Sequence, residues 1–507
     1  MKSRIPAFAV ASLCALCVSS SAVALDGEPY IHDPSTIMEC DGKFYTFGTG
    51  RGGLISEDGW TWRSGGVRPG GGAAPDVVKI GDRYLIAYGA TGGGLGGGHN
   101  GRILTMWNRT LDPNSPDFQY TEAIVVASSD GIEDCDAIDP SLLLDPNDGR
   151  LWLTYGTYFG FIRIVELDPK TGARVSGNEA VNIAIDCEAT ALMYHEGWYY
   201  LLGTHGTCCD GANSTYNIRV GRSRKVTGPF LDNMGIDMLK GGGKLVVAAN
   251  GRYLGPGHFG WINLGDGVQK FSCHYEADLD RSGRSILDIR ALLWKDGWPV
   301  AGENFRGGDF QIHSERKGYA LELAVDFVRM PGRRGGFGGP GGPSAAGSTN
   351  APGAPGSASG ASAAAATVTS IPLQTLGEVS MNWPAGNIDV RMGDYMLRPH
   401  QKWSITAVTN AGGYLGSPCY RISIAGTDRS LTATAEREVV TAPKFTGAPE
   451  QLWRIDQLTD GTYRIMPKAV PGTDEPLALT AVGGSTPSLT KFDPASDKAR
   501  WSLRSPN

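Results

Sequence analysis

One phrase recurs five times between residues 30 and 300 of this chain, and nothing else in the sequence constrains its fold as tightly. It appears as HDPSTIMECDGKFYTFGTG from His32, as APDVVKIGDRYLIAYGAT from Ala74 and as IDPSLLLDPNDGRLWLTYGT from Ile138. It returns as CEATALMYHEGWYYLLGTHG from Cys187 and, more distantly, as GPGHFGWINLGDGVQKFSCHYEA from Gly255. Each copy opens on a polar or acidic head, runs through a short apolar stretch, turns at Gly or Asp, and ends in an aromatic-rich stretch. Apolar runs this short, set between Gly-containing turns, predict antiparallel strands and not helices. The heads Asp33, Asp76, Asp139, Glu188 and His258 lie 43, 63, 49 and 70 residues apart. A four-stranded propeller blade takes about 40 to 50 residues, and insertions lengthen some intervals. The repeat therefore predicts an all-β chain whose first part is a five-bladed β-propeller. There the innermost strand of each blade lines the axis, so equivalent heads meet at one end of a central channel. Turn capping accounts for a single carboxylate such as Asp76. It does not account for Asp33, Asp139 and Glu188 together.

Composition agrees with a turn-rich β protein, since 72 of the 507 residues are Gly and only 19% are charged. The length implies two or more domains with full cores. With 52 acidic against 46 basic residues, no basic surface marks a nucleic acid or an anionic membrane as partner. At the N-terminus, Lys2 and Arg4 precede an apolar run from Phe8 to Val18, and Ala22-Val23-Ala24 offers a cleavage site. Residues 1–24 read as a signal peptide and the mature protein as secreted, extracellular or periplasmic. Leu16 before Cys17 argues against lipid anchoring, and no apolar run is long enough to span a bilayer. Seven cysteines remain beyond the signal: Cys40, Cys135, Cys187, Cys208, Cys209, Cys273 and Cys419. An odd number leaves at least one unpaired, and no Cys/His spacing matches a zinc site.

HDPS at 32–35, APDV at 74–77, IDPS at 138–141, CCDGANSTY at 208–216 and GPGH at 255–258 together resemble glycoside hydrolase family 43. The likeness is strongest to its arabinan-degrading members, which carry similar CC-x-G-x-x-STY and VGRS-x-x-x-TGPF phrases, and it covers roughly residues 28 to 305. It implies a propeller enzyme that hydrolyses furanosides or xylosides with inversion. Carried over by motif, Asp33 would be the general base and Glu188 the general acid, with Asp139 orienting Glu188 and raising its pKa. Inverting hydrolysis needs just such a pair, one carboxyl protonated and one ionised, about 6.5–9.5 Å apart. A third carboxylate keeps the acid protonated by like-charge repulsion, and the apolar Cys187, Ala189 and Ala191 around Glu188 push the same way. The resemblance further places His32, Tyr158, Phe159 and His205 against the bound sugar. His258 would reach a hydrated Ca²⁺ or Na⁺ on the propeller axis, with no organic cofactor. Two features depart from the family pattern: Ala73 stands where arabinanases carry Trp, and a glycine run, GGGLGGGHNG, follows Thr91.

From 331 to 370 the sequence turns to Gly, Ala, Pro and Ser, which cannot bury apolar surface and reads as a flexible linker. The domain organisation expected is thus a propeller over 25–330, this linker, and a C-terminal unit over 371–507. In the last of these, HQKWSI, EQLWRI and KARWSL place Trp403, Trp453 and Trp501 at intervals of 50 and 48. The pattern resembles a ricin-type β-trefoil, whose three lobes each contribute a core Trp, although Ala499 replaces the Gln of the third lobe. Such a module holds polysaccharide near an attached enzyme. The whole reads as a monomeric, secreted hydrolase of α-L-arabinofuranosyl linkages in plant cell-wall arabinan or its oligosaccharides. An exo-acting arabinofuranosidase, a β-xylosidase, a galactofuranosidase or a non-catalytic glycan-binding protein are the alternatives that the sequence leaves open.

Overall fold

The computed structural model describes residues 25–50, 52–67, 72–90, 100–129, 136–157, 160–316, 319–325, 383–482 and 486–507. The signal segment, Tyr158, Phe159, Cys135, most of the glycine run and the 331–370 stretch lie outside the described residues. Strands dominate, with helix confined to three-residue turns among the described residues. Five antiparallel sheets follow one another along the chain, their first strands being Met38–Cys40, Ala73–Ile80, Ser141–Leu144, Glu188–His195 and Tyr253–Asn263. First strands of neighbouring sheets pack against one another, so these are the innermost strands of a five-bladed propeller.

Side-chain alternation explains why the blades stack. In the strand Arg83–Ala90, Leu85 and Ala87 face blade 3 while Tyr84, Ile86 and Tyr88 face blade 1. Blade 4 repeats the arrangement, with Tyr200 and Leu202 turned to blade 5 and Leu201 to blade 3. Because both faces of each blade are buried, these strands read as unbroken apolar runs rather than as alternation with polar residues. Every pair of neighbouring blades shares one apolar cluster. The ring is closed by residues 25–31. Asp26–Gly27 pairs in parallel with Thr61–Val67 of blade 1, while Pro29 and Ile31 accept hydrogen bonds from Leu287 and Ser285 of blade 5.

The C-terminal unit corrects the expected domain boundaries. Gly308–Ser314 and Ala320–Leu323, assigned above to the propeller, instead join a ten-stranded sheet with strands from 388 to 504. Ala320–Leu323 pairs with Ile388–Gly393, Leu321 opposite Met392, so the Gly/Ala/Pro stretch leaves and re-enters within one hairpin. It interrupts the second unit and does not connect the two. The junction between them is the short segment that follows Ala301, and their surfaces are docked by backbone hydrogen bonds. Thr459 N donates to Gly267 O (2.9 Å), Trp294 N to Thr459 O (3.0 Å) and Gly416 N to Gly59 O (3.0 Å). Lys270, 4% exposed, adds a bond to Leu415 O at 2.7 Å. Within the unit, Trp403, Trp453 and Trp501 are fully buried and donate their indole N–H to Leu321 O, Leu431 O and Leu479 O respectively. Each of these carbonyls lies in the second strand of a four-strand group, so the same contact is made three times.

Candidate active site

The innermost segments of the five blades share a backbone distortion. Asp33, Ala74, Asp139, Ala189 and His258 have φ of 52°, 44°, 50°, 48° and 55°, a left-handed conformation that non-glycine residues rarely adopt. In blades 2, 4 and 5 the strand pairing shifts register there, as a bulge does. This equivalence revises the repeat heads. Asp33, Asp139 and His258 are true counterparts, but blades 2 and 4 carry alanine at that position. Glu188 stands one residue earlier and Asp76 two later. A one-residue offset redirects a strand side chain, so the five heads are not five copies of one site position.

Asp76 is accordingly structural. Buried at 5% exposure, it accepts Thr36 N at 3.0 Å and Leu142 N at 2.8 Å, tying blade 2 to both neighbours. A narrow cavity of about 10 Å³, room for about one water-sized body, draws its lining from all five blades, including Thr36, Asp76, Asp139, Thr190 and His258. Its lining atoms are mostly oxygens with one imidazole, the types a hard cation takes. A space of one water-sized body does not admit such an ion with its water shell, so the expected hydrated cation does not fit here.

Around Asp33 the contacts are dense. His32 Nδ1 lies 2.9 Å from Asp33 Oδ2, His258 Nδ1 lies 3.0 Å from Oδ1, and Thr49 Oγ1 donates to Oδ2. The backbone N–H of Asp33 donates to His274 Nδ1 at 3.0 Å, which leaves the His274 proton on Nε2. Burial alone would raise the Asp33 pKa, but His258 and then His32 outweigh it and hold the carboxyl well below its ordinary value. Burial would lower the pKa of His32, yet Asp33 and Glu276 on either side push it up to about 10. Asp139 goes the other way. Burial, opposed by His258 and reinforced by the charges of Glu188 and Asp33, pushes it up to about 8.

Glu188 receives a short hydrogen bond from the hydroxyl of Tyr216, which is 4% exposed. Two glycines of the fifth repeat make that contact possible. A Cβ at Gly257 would meet Tyr216 Cδ2 at 2.9 Å, and one at Gly255 would meet Ser214 Oγ at 2.4 Å. The GPGH phrase thus serves to seat the 207–216 loop on blade 5. Thr207 and Ser214–Thr215 close the loop on itself, with Ser214 Oγ donating to Thr207 O at 2.8 Å. Cys208 and Cys209 form a disulfide in it, while Cys40, Cys187, Cys273 and Cys419 are buried free thiols.

Of the site residues expected from sequence, His32 and His258 each touch Asp33, and Asp139 and Glu188 act on each other electrostatically. His205 does not join them. It is 2% exposed, packs beside Arg219 and under Gly243, and is held neutral, first by burial and then by Arg219, with its pKa lowered to about 4. A sugar finds no surface on it. Tyr158 and Phe159 lie outside the described residues. Sequence reasoning missed Thr49, Tyr216, His274 and Glu276. The last two could have been found, because they are spaced by two in FSCHYEA and so share one face of a strand.

Carboxyl groups pushed to opposite protonation states within one pit are what acid–base cleavage of a glycosidic bond requires. On a five-bladed propeller, that defines the class as glycoside hydrolase. The chain belongs to the glycosyl hydrolases family 43, whose model matches residues 46–299. It is 30% identical over 332 residues to the extracellular exo-α-(1→5)-L-arabinofuranosidase of Cellvibrio japonicus (strain Ueda107), covering 58% of this chain and 92% of that protein. It is 32% identical over 298 residues to the extracellular endo-α-(1→5)-L-arabinanase 1 of Bacillus subtilis (strain 168), covering 53% and 87%. Among solved structures, Cellvibrio cellulosa α-L-arabinanase complexed with arabinohexaose matches with a TM-score of 0.50 at 27% identity, covering 54% of this chain and 95% of that one.

Proposed function

We propose that the protein is an exported, inverting hydrolase of α-L-arabinofuranosyl linkages in arabinan or arabino-oligosaccharides. The observation that carries this reading is the opposed tuning of Asp33 and Asp139 beside a Glu188 already held by Tyr216. Asp33, kept ionised by His258 and His32, is the general base that takes a proton from the attacking water. Glu188 is the general acid that protonates the leaving oxygen. Asp139 holds the acid in its protonated form, because whichever carboxyl of the coupled pair carries the proton, the other's charge retains it. His32, part-exposed beside Asp33, borders the sugar.

Export is supported by the N-terminal signal pattern and by relatives whose names say extracellular. No helix among the described residues is long and apolar enough to cross a membrane. The thrice-repeated Trp–carbonyl contact supports a β-trefoil for the C-terminal unit, and we assign it a carbohydrate-holding role. The relatives include an exo-acting and an endo-acting protein, so the test is product analysis on linear arabinan, debranched arabinan, an aryl arabinofuranoside and xylan. Release of arabinose or short arabino-oligosaccharides from the arabinans, with xylan untouched, is the expected result. Cleavage of xylan alone would contradict the substrate assignment.

A further inference from the structure

The 207–216 loop reaches both ends of the catalytic pair. On one side Tyr216 bonds Glu188. On the other, the backbone N–H of Cys209 donates to Glu276 Oε1 at 3.1 Å, and the same oxygen lies 3.0 Å from His32 Nε2. The opposite ring nitrogen of His32 faces Asp33 Oδ2. Both disulfide sulfurs, a His32 nitrogen and a Glu276 oxygen lie within 4.8 Å of one another, so the Cys208–Cys209 pair sits over this junction. Glu276 is 5% exposed on the strand Gln269–Asp278, and His274 Nε2 approaches it to 3.6 Å, too far for a hydrogen bond. A buried carboxylate is costly unless its oxygens are engaged, and here the engagement is a backbone donor above and an imidazole beside it.

From this geometry we propose that Glu276 is the positioning residue for the base: it fixes His32, and through it the Asp33 carboxylate, and is itself fixed by the disulfide-closed loop. The proposal rests on the reading of Asp33 as base and Glu188 as acid. Without the Glu276 oxygen, His32 keeps the His274 ring it stacks on but loses the hydrogen bond that fixes its rotation in that plane, and one of the three side chains that orient the Asp33 oxygens is loosened. A shift on the order of 1 Å in the group that activates water costs on the order of a hundredfold in rate. Because the fault lies with the base, the leaving group is irrelevant to it.

The test uses the full chain and two substrates, a dinitrophenyl arabinofuranoside and an arabino-oligosaccharide, with Glu188→Ala and Asp33→Ala as references. Glu276→Ala is expected to lower kcat by about 30- to 100-fold on both substrates alike, with KM changed by less than about threefold. Glu276→Gln, which keeps an acceptor for Cys209 N–H and His32, is expected to stay within about fivefold of the parent enzyme. Cys208→Ser/Cys209→Ser should show the same substrate-independent loss, on the order of tenfold, and keeps the test open should Glu276→Ala fail to fold. A loss falling mainly on the oligosaccharide would mean that the loop collapsed and took Tyr216 with it, which overturns the proposal. So would an unchanged kcat in folded Glu276→Ala. If Glu188→Ala itself shows no preference between the substrates, the role assignment fails first, and the coupling falls with it.

Discussion

A methyl group added at Gly257 would sit 2.9 Å from Cδ2 of Tyr216, the residue whose hydroxyl bonds Glu188. Gly257 has no left-handed φ to protect, so alanine there presses on the ring without straining its own backbone. Gly257→Ala is expected to lower cleavage of oligosaccharide at least tenfold, to cost about 1–3 kcal/mol of stability by overpacking the buried ring, and to spare an activated aryl arabinoside. Equal loss on both substrates would show that Tyr216 does not act through the acid. At Asp139 function and stability conflict. Its pKa is raised to about 8 in the folded protein, by burial first and then by Glu188 and Asp33. The folded state therefore keeps a proton that the unfolded chain releases above about pH 4. Stability contributed at low pH is lost as pH rises through 8. Asp139→Asn lacks this titration, so its melting temperature should gain on the parent's progressively from about pH 4 to pH 8 while kcat falls. A constant offset across that range would contradict the assignment. In the same variant the basic limb of the pH–rate profile should move to lower pH, since the proton that the Asp139–Glu188 pair shares is then held by Glu188 without a second carboxylate.

The innermost strands carry both the site and the frame. Asp76 holds blades 1, 2 and 3 together through two backbone donors, Thr36 N and Leu142 N. Asp76→Ala orphans both within a buried setting, and thermal unfolding should report a loss of about 2–4 kcal/mol. Asp76→Asn retains one acceptor and should lose about half as much. No loss in the alanine variant would mean that solvent reaches these groups. The repeat made the five blades legible, because strand, turn and aromatic strand recur with enough fidelity to be seen without coordinates. It did not make the register of the heads legible. Aligning carboxylates sets Asp76 and Glu188 against Asp33, whereas the backbone sets Ala74 and Ala189 there. A bulge changes the count by one residue and leaves the apolar pattern untouched, so nothing in hydrophobicity records it. Tyr216 was hidden for a related reason. It reaches the pit from outside the repeat heads, along the folded path of the 207–216 loop.

Over the whole molecule, the Gly/Ala/Pro stretch is easy to see and easy to misplace. Composition states that it cannot pack, but not whether it joins two domains or interrupts one. The strand pairing around it settles that, since Ala320–Leu323 lies against Ile388–Gly393 and Gly308–Ser314 against Trp501–Arg504. Limited proteolysis confined to 331–370 should therefore yield two pieces that elute together under native conditions and part only in denaturant. Separation without denaturant would restore the linker to a tether. By the same argument a chain ended at 330 carries two strands without partners and is expected to aggregate. The docked surfaces around Lys270 and Leu415 make the C-terminal unit a fixed neighbour of blades 1 and 5.

The division of labour between Glu188 and Asp33 is the claim on which the functional account stands, and the leaving group tests it most directly. A protonated acid matters only where the departing oxygen is a poor leaving group, whereas an activated water is needed whatever departs. Glu188→Ala and Asp33→Ala are to be compared by kcat/KM on an arabino-oligosaccharide and on a dinitrophenyl arabinofuranoside. Glu188→Ala should lose more than about a thousandfold on the oligosaccharide while keeping much of its rate on the activated substrate. Asp33→Ala should lose both. If Glu188→Ala instead falls equally on the two, Glu188 is not the acid, and the assignment of roles across the site is wrong.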